Sequence, residues 1–317
     1  MARKKRGNPI HGWVNFDKPL GMTSTQAVGK VRWLFEAQKA GHAGTLDPLA
    51  SGILPIALGD ATKTVPFLVE AKKEYIATIK WGERTNTLDA EGDIVASSDV
   101  RPSSVAIKTY FPAFLGEISQ TPPQFSAIKI NGKRAYDLVR AGGDPKMKAR
   151  TVTIHELELL ENNNTHAKVR VLCGKGTYIR SFARDLARSL GTEGSLSDLR
   201  RTSVGQFTQN TTFTLDMLEE LRHKRHVLEG LLSVSTALDD IPALAVTENE
   251  KDDLKLGRAI TVLPNVFKNL THAFKPRQIG DLDASRYVLA TYKDKEIALC
   301  EARARRISPK RVFNIDV

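Results

Sequence analysis

The sequence predicts an α+β fold in which helices pack against a mixed β-sheet. Apolar and polar residues alternate over residues 74–81 and again over 168–173, which is the two-residue period of half-buried strands. Residues 23–35 and 179–190 instead carry apolar side chains at helical spacing. Strands and helices alternate without a simple strand–helix–strand rhythm, and a mixed sheet with packed helices fits that order.

The first predicted helix begins after Thr23. Thr23 and Gln26 have the spacing of a capping box, in which each side chain bonds to the backbone of the other residue. The apolar face of this helix is formed by Ala27, Val28, Val31, Leu34 and Phe35. After the helix, Gly41 and Gly44 are predicted to open a loop.

Two strands and a second helix follow. The first strand directs one set of side chains to a single face, namely Tyr75, Ala77, Ile79 and Trp81. The second strand is predicted to bury Val169, Val171 and Cys173. A tight turn at residues 174–176 then leads to a helix that ends at Gly191 and has an apolar face of Ile179, Phe182, Ala183, Leu186 and Leu190.

Residues 120–150 differ in character from the sequence on either side. They contain a cluster of turn-forming residues, which are Pro122, Pro123, Gly132, Gly142, Gly143 and Pro145. We expect an insertion that projects from the sheet, and long insertions of this kind usually carry function.

A turn-rich segment over residues 235–245 marks a predicted domain boundary. The chain beyond it contains short β-like segments at residues 259–263, 287–292 and 297–300. We therefore expect a larger domain over residues 1–240, which contains the insertion, and a small β-rich domain over residues 241–317.

The chain is basic: 47 Lys and Arg residues against 36 Asp and Glu residues give a net charge of +11. Residues 129–150 contain seven basic and two acidic side chains, and residues 168–188 contain six basic and one acidic side chain. One such cluster alone could equally be a solvated charged surface or a surface that binds nucleic acid. Two clusters, together with the basic segment at residues 3–6, favour RNA or DNA as a partner.

Several other classes of protein are not favoured. No apolar run approaches the ~18 residues of a membrane span, and no apolar segment follows the basic N-terminus, so we expect neither a membrane protein nor a secretory signal. Cys173 and Cys300 form no CxxC pair, so reduced thiols in the cytosol are expected. The seven histidines form no HExxH motif and no cluster at metal spacing, so no metal site is indicated.

Residues 41–52 are the main candidate for a catalytic loop. This short apolar segment contains His42, Asp47 and three glycines. An aspartate is ionised at neutral pH and can act as a nucleophile without a partner base. Asp47 precedes Pro48, and most Asp-Pro pairs only cap a turn or the start of a helix. Composition alone favours this structural interpretation over a catalytic one.

Several blocks of the sequence together resemble the bacterial TruB family, the tRNA pseudouridine-55 synthases. Residues 41–52 resemble the family's signature loop. Further blocks occur in the family's order across about residues 11–205, at residues 17–24, 73–75, 85–92, 122–129, 174–180 and 199–201. Beyond residue 245 the likeness is weaker, and the C-terminal domain resembles PUA-like RNA-binding domains.

The resemblance implies that the protein isomerises uridine to pseudouridine at position 55 in the T arm of tRNA. The implied fold has a largely antiparallel mixed sheet, and the implied reaction needs neither a metal nor a nucleotide cofactor. The target base must flip out of its stack before it can react. The basic insertion is expected to grip the RNA, and a monomer suffices.

The resemblance also implies roles for individual residues. Asp47 matches the catalytic aspartate, Arg180 the arginine that pairs with it, and His42 the histidine that stacks within the RNA loop. The uracil pocket is expected to be lined by Tyr75, Tyr178 and Leu199. Without the resemblance, these last three residues would be assigned to the core, and Arg180 could be a simple phosphate contact.

Two alternatives remain open at this point. The first is a non-catalytic RNA-binding or RNA-folding protein, in which only the basic surface matters. The second is a pseudouridine synthase that acts on other RNAs.

Overall fold

The computed structural model describes residues 7–315, so the basic residues Arg3, Lys4, Lys5 and Arg6 lie outside the described part of the chain. The first helices and strands are β1 (Gly12–Lys18), α1 (Ser24–Leu34), β2 (Ala40–His42), β3 (Ala50–Leu58), α2 (Val65–Glu70), β4 (Lys73–Trp81), β5 (Glu83–Thr85), β6 (Ile94–Ser97), α3 (Ser104–Tyr110) and β7 (Gly116–Gln120).

The insertion and the remainder of the first sheet follow. Their elements are β8 (Lys129–Ile130), β9 (Lys133–Arg134), α4 (Ala135–Arg140), β10 (Arg150–Asn162), β11 (His166–Cys173), α5 (Ile179–Ser189), β12 (Gly194–Val204), β13 (Phe207–Thr208) and α6 (Leu215–His223). The last elements are β14 (Ala243–Ala245), α7 (Glu248–Lys255), β15 (Ile260–Thr261), α8 (Pro264–Ala273), β16 (Gln278–Ile279), β17 (Leu282–Asp283), β18 (Tyr287–Tyr292), β19 (Lys295–Arg303) and β20 (Arg306–Val312).

A nine-stranded mixed sheet forms the centre of the protein, which confirms the predicted α+β class. Its strand order is β1-β3-β12-β4-β11-β10-β7, with β2 paired to β3 and β13 paired to β12. β12 runs parallel to β3, and the other pairs in the described part of this sheet are antiparallel. The parallel pair places Leu199 beside Ala50, at the end of the loop that contains Asp47.

The predicted periodic elements are confirmed. α1 begins with the capping box between Thr23 and Gln26, and β4 buries alternate side chains from Tyr75 to Trp81. One expectation was wrong: Gly41 lies in β2 rather than in a loop, because the backbone of β2 pairs with the edge of β3. The loop begins only after His42.

Apolar side chains cover both faces of the sheet at β1 and β3. On one face, α1, α3, α5 and α6 contribute to a core that includes Phe16, Leu54 and Val169. On the other face, Trp13 and Ile53 pack with α2 and with part of the C-terminal region. A strand that is buried on both faces is apolar throughout, which explains the continuous apolar run of β3.

A second sheet forms the C-terminal region, which confirms its predicted β-rich character. Its order is β14-β18-β19-β20-β15, and α7 and α8 contribute to its core. The helices and the strands β14 and β20 were not predicted. Leu289, Leu299 and Phe313 join the same cluster as Trp13 and Phe67, so the two regions share a core. The division at residue 240 stays a prediction. No helix within residues 7–315 is long and apolar enough to cross a membrane.

Gly52 gives a test of the contact between β3 and β12. Its φ is +101°, and a Cβ at this position would lie 2.2 Å from the carbonyl oxygen of Arg201. Gly52→Ala must therefore separate the two strands, and we expect the free energy of unfolding to fall by about 3 kcal/mol or more in urea denaturation.

Gly29→Ala is the matched control. Gly29 is exposed in α1, and an added Cβ has no neighbour within 4 Å. Alanine is the better helix former, so this variant should gain up to about 1 kcal/mol. Equal effects of the two substitutions would contradict the assigned role of Gly52.

Candidate active site

The loop that carries Asp47 is held on both sides by hydrogen bonds. Before it, the buried Ser24 hydroxyl donates to the carbonyl of Leu46 and accepts from its N–H, both at 2.9 Å. After it, the carbonyl of Pro48 accepts from the Gly21 N–H at 2.9 Å. These contacts fix the position of Asp47 between β2 and β3.

Lys18 supports the same loop from below. Its side chain is fully buried, and its amine donates to the carbonyls of Pro19 at 2.9 Å, Met22 at 2.8 Å and Pro48 at 3.4 Å. Burial lowers the pKa of this amine to about 8. These contacts indicate a structural role for Lys18 rather than a contact with RNA.

Arg180, in the first turn of α5, lies between two carboxylates. Its Nη2 is 2.8 Å from Oδ2 of Asp47, and its Nη1 is 3.3 Å from Oδ2 of Asp89. The guanidinium also donates to the carbonyls of Thr87 and Phe125, each at 3.0 Å. Because only 6% of the Arg180 side chain is exposed, these partners determine its position.

The Asp47 carboxylate faces Arg180 and solvent rather than a backbone N–H of the described chain. Its side chain is 41% exposed. The turn instead closes through the main chain, where the Ala50 N–H donates to the Asp47 carbonyl at 3.0 Å. This geometry does not favour the interpretation of Asp47 as a turn cap, and it leaves one side of the carboxylate open to a ligand.

A cavity of about 320 Å³ lies beside the Asp47–Arg180 pair. Tyr75 from β4 and Leu199 from β12 are buried walls of this cavity. Tyr178, the N-cap residue of α5, forms another wall. Two aromatic rings and one aliphatic side chain suit a planar ligand, so the structure brings five of the six predicted site residues around one space.

Two buried basic residues of this cavity, Arg201 and Lys73, were not predicted as site residues. Arg201 donates to the carbonyls of Ile53 at 2.7 Å and Gly44 at 3.1 Å, and its guanidinium lies 6.0 Å from the centre of the Tyr75 ring. Lys73 donates to the carbonyl of Ala71 at 2.7 Å.

The alternation of side chains along β4 and β12 could have identified Lys73 and Arg201 as residues of this cavity. Lys73 lies two positions before Tyr75 on β4, and Arg201 lies two positions after Leu199 on β12, so each faces the same side as a predicted pocket residue. A basic residue on an apolar strand face indicates a polar site.

His42 lies in an adjoining groove rather than in this cavity. The groove has a volume of about 410 Å³, and Asp47 and Arg180 also line it. Burial, helped by the nearby positive charge of Arg201, lowers the pKa of His42. A neutral imidazole at neutral pH follows, and such a ring can stack on a base. Arg134 of the insertion lines the same groove.

The two basic clusters differ once the fold is known. In the second cluster, Arg170 is bonded to three glutamates on neighbouring strands, which are Glu74, Glu156 and Glu158. Lys175 likewise pairs with Glu70 at 2.7 Å. These acidic partners all lie outside residues 168–188, so counting charges over that range overstated the free positive charge.

Comparison with known proteins identifies relatives over the whole chain. Residues 32–179 match the model of the TruB family pseudouridylate synthase N-terminal domain, and residues 180–241 match that of the tRNA pseudouridylate synthase B C-terminal domain. The tRNA pseudouridine synthase B of Caulobacter vibrioides is 50% identical over 99% of this chain and 100% of its own length. That of Agrobacterium fabrum is 46% identical over 98% and 97%.

Solved structures show the same fold. A chain in a Cbf5–Nop10–Gar1 complex superposes with a TM-score of 0.68 at 25% identity, covering 95% of this chain and 84% of that one. A chain in an H/ACA RNP bound to a substrate RNA containing 2′-deoxyuridine gives 0.69 at 23% identity, covering 99% and 92%.

Lys73 predicts a pH dependence of stability. Burial lowers its pKa from 10.5 to about 8, so between these values the folded state binds fewer protons than the unfolded state. The contribution of Lys73 to the free energy of unfolding therefore rises with pH in this window and is constant below pH 8. Relative to Lys73→Met, the wild type should gain on the order of 1–2 kcal/mol between pH 7.5 and 9.5.

Urea denaturation at the two pH values measures this gain. Lys72→Met is the matched control, because Lys72 is the exposed neighbour of Lys73. A gain of the same size relative to this variant would contradict the assignment of the gain to the buried Lys73 amine. A constant difference for Lys73→Met would contradict the lowered pKa.

Proposed function

Because the chain belongs to the TruB family of pseudouridine synthases, we propose that it isomerises uridine to pseudouridine at position 55 in the T arm of tRNA. The bond from ribose C1′ to uracil N1 breaks, and a bond from C1′ to C5 forms, while a proton leaves C5 and another joins N1. The observation that carries the proposal is the Asp47–Arg180 pair beside a cavity with aromatic and aliphatic walls.

Asp47 is the catalytic residue in this proposal. Its carboxylate is held by Arg180 on one side and open on the other, so it can reach a nucleotide that enters the cavity. The geometry is compatible with attack on the base or on a ribose carbon, and with removal of a ribose proton. The Arg180 guanidinium lies 2.8 Å from the Asp47 carboxylate and holds it at the edge of the cavity.

The uracil ring is proposed to stack on Tyr75 and to lie against Tyr178 and Leu199. Burial raises the pKa of Tyr75, so its phenol is neutral at physiological pH and can donate a hydrogen bond. The detached base can turn in the cavity because its walls contact a planar ring mainly through apolar surface.

Entry of the uridine into this cavity requires base flipping, which costs a few kcal/mol. We propose that His42, in the adjoining groove, stacks within the RNA loop and supports the flipped state. Arg134 and Arg140 line the same groove and supply positive charge for the phosphates. The enzyme is proposed to act as a monomer in the bacterial cytoplasm.

The proposed domain division is residues 1–240 and 241–317, the second a PUA-like RNA-binding domain. The second sheet begins at Ala243 and its last strand ends at Val312, which supports this division. The proposed insertion over residues 120–150 departs from β7 and returns on β10, its neighbour in the sheet.

Asp47→Asn tests the proposed chemistry. The amide keeps the shape of the side chain but is a poor nucleophile, so isomerisation should fall by more than about 1,000-fold. Tritium release from a T-arm transcript labelled at uridine C5 measures the reaction. Asp99→Asn, at an exposed position, should release tritium at the wild-type rate.

RNA affinity separates the alternatives in the same experiment. Binding by Asp47→Asn should stay close to that of the wild type. Comparable loss of binding and reaction would mean that Asp47 is structural. Tight binding without tritium release by the wild type would favour a non-catalytic RNA-binding protein or an enzyme that acts on other RNAs.

The insertion is proposed to clamp the RNA. Deleting residues 128–143 and joining the ends with glycines should weaken T-arm binding several-fold, roughly tenfold at most, and should reduce its salt dependence. A second variant keeps the backbone and replaces the basic residues Lys129, Lys133, Arg134 and Arg140 by Gln, which measures the contribution of charge alone. Unchanged affinity in both variants would refute the clamp.

A further inference from the structure

Ser126, at the base of the insertion, has a buried hydroxyl that the fold leaves unused. The residue is 4% exposed, and its Oγ has no hydrogen-bond partner among residues 7–315. A buried hydroxyl without a partner costs roughly 1–3 kcal/mol, so such groups are uncommon.

The backbone holds Ser126 rigidly. Its N–H donates to the carbonyl of Gln124 at 3.0 Å, and its carbonyl accepts from the N–H of Tyr136 at 3.1 Å. The preceding carbonyl, of Phe125, accepts from Arg180 Nη2. The hydroxyl is therefore placed at a fixed position relative to the Asp47–Arg180 pair.

Ser126 lies where the two cavities adjoin. It lines the inner cavity together with Tyr75 and Tyr178 and the outer groove together with His42. Asp47 likewise lines both spaces. In the proposed function, on which this inference rests, the uracil occupies the inner cavity and the RNA backbone follows the groove. The ribose of the flipped uridine joins the two and must lie at this boundary.

We propose that Ser126 is a substrate-binding residue that hydrogen-bonds the ribose 2′-hydroxyl of the flipped uridine. A serine hydroxyl donates one hydrogen bond and accepts others, as a 2′-hydroxyl does, so the two groups match. Ser126 then selects RNA over DNA at the target nucleotide.

A binding cycle tests the contact. T-arm RNAs with uridine or 2′-deoxyuridine at the target position are bound to the Asp47→Asn protein, which does not turn over, with Ser126 or with Ser126→Ala. Loss of the 2′-hydroxyl should weaken binding roughly fivefold when Ser126 is present. It should have no effect in Ser126→Ala. An equal loss in both proteins, or no loss in either, overturns the proposal.

Ser181→Ala is the matched control. Ser181 is also a buried serine, but its hydroxyl donates to the Thr121 carbonyl at 2.8 Å. It should lower the stability and leave the 2′-hydroxyl dependence unchanged. Ser126→Ala, which breaks no hydrogen bond within residues 7–315, should be at least as stable as its parent in urea denaturation. A loss of stability would assign the hydroxyl to the fold instead.

Tritium release separates this inference from the proposed function. Wild-type release together with a rate several-fold lower in Ser126→Ala supports both. Wild-type release together with a binding cycle that shows no coupling leaves the proposed function standing and removes the role of Ser126. No release by the wild type overturns the proposed function, and the inference about a flipped uridine is overturned with it.

Discussion

The buried guanidinium of Arg180 is the interaction on which the rest of the site depends. It contacts Asp47 from the loop before β3, Asp89 and Thr87 from the segment between β5 and β6, and Phe125 from the insertion. A buried cation is costly without such partners, and two carboxylates and two carbonyls supply them here. The same contacts therefore stabilise this region and position the Asp47 carboxylate in the candidate site.

The pairing of β3 with β12 makes this arrangement possible. Within the described part of the first sheet, the parallel pair of β3 with β12 brings the Asp47 loop beside Leu199 and Arg201, which are distant in sequence. Gly52 permits that approach because it has no Cβ to collide with the Arg201 backbone. The Lys18 amine holds the same loop through its hydrogen bond to the Pro48 carbonyl. Gly52 and Lys18 thus both help to position the loop that carries the Asp47 carboxylate.

Much of the fold could be predicted from the sequence where periodicity was strong. The β4 alternation and the capping box of α1 specified those elements correctly. α7 was missed because it buries only Leu254 and therefore has no apolar period. In the site, sequence blocks identified Asp47 and its neighbours, whereas the second carboxylate contact, from Asp89, depends on three-dimensional proximity that one-dimensional spacing does not contain.

The shared core between the two sheets has a consequence for how the C-terminal region can be studied. Leu299 and Phe313 pack in the same cluster as Trp13 and Phe67 of the first sheet. Truncating the chain near residue 241 would expose Trp13 and Phe67 and create an apolar surface that favours aggregation. If a truncated protein failed to bind RNA, the loss could then result from aggregation as well as from missing RNA contacts. Point substitutions on the exposed side of the second sheet would instead leave the shared core intact and test the proposed RNA binding by this sheet alone.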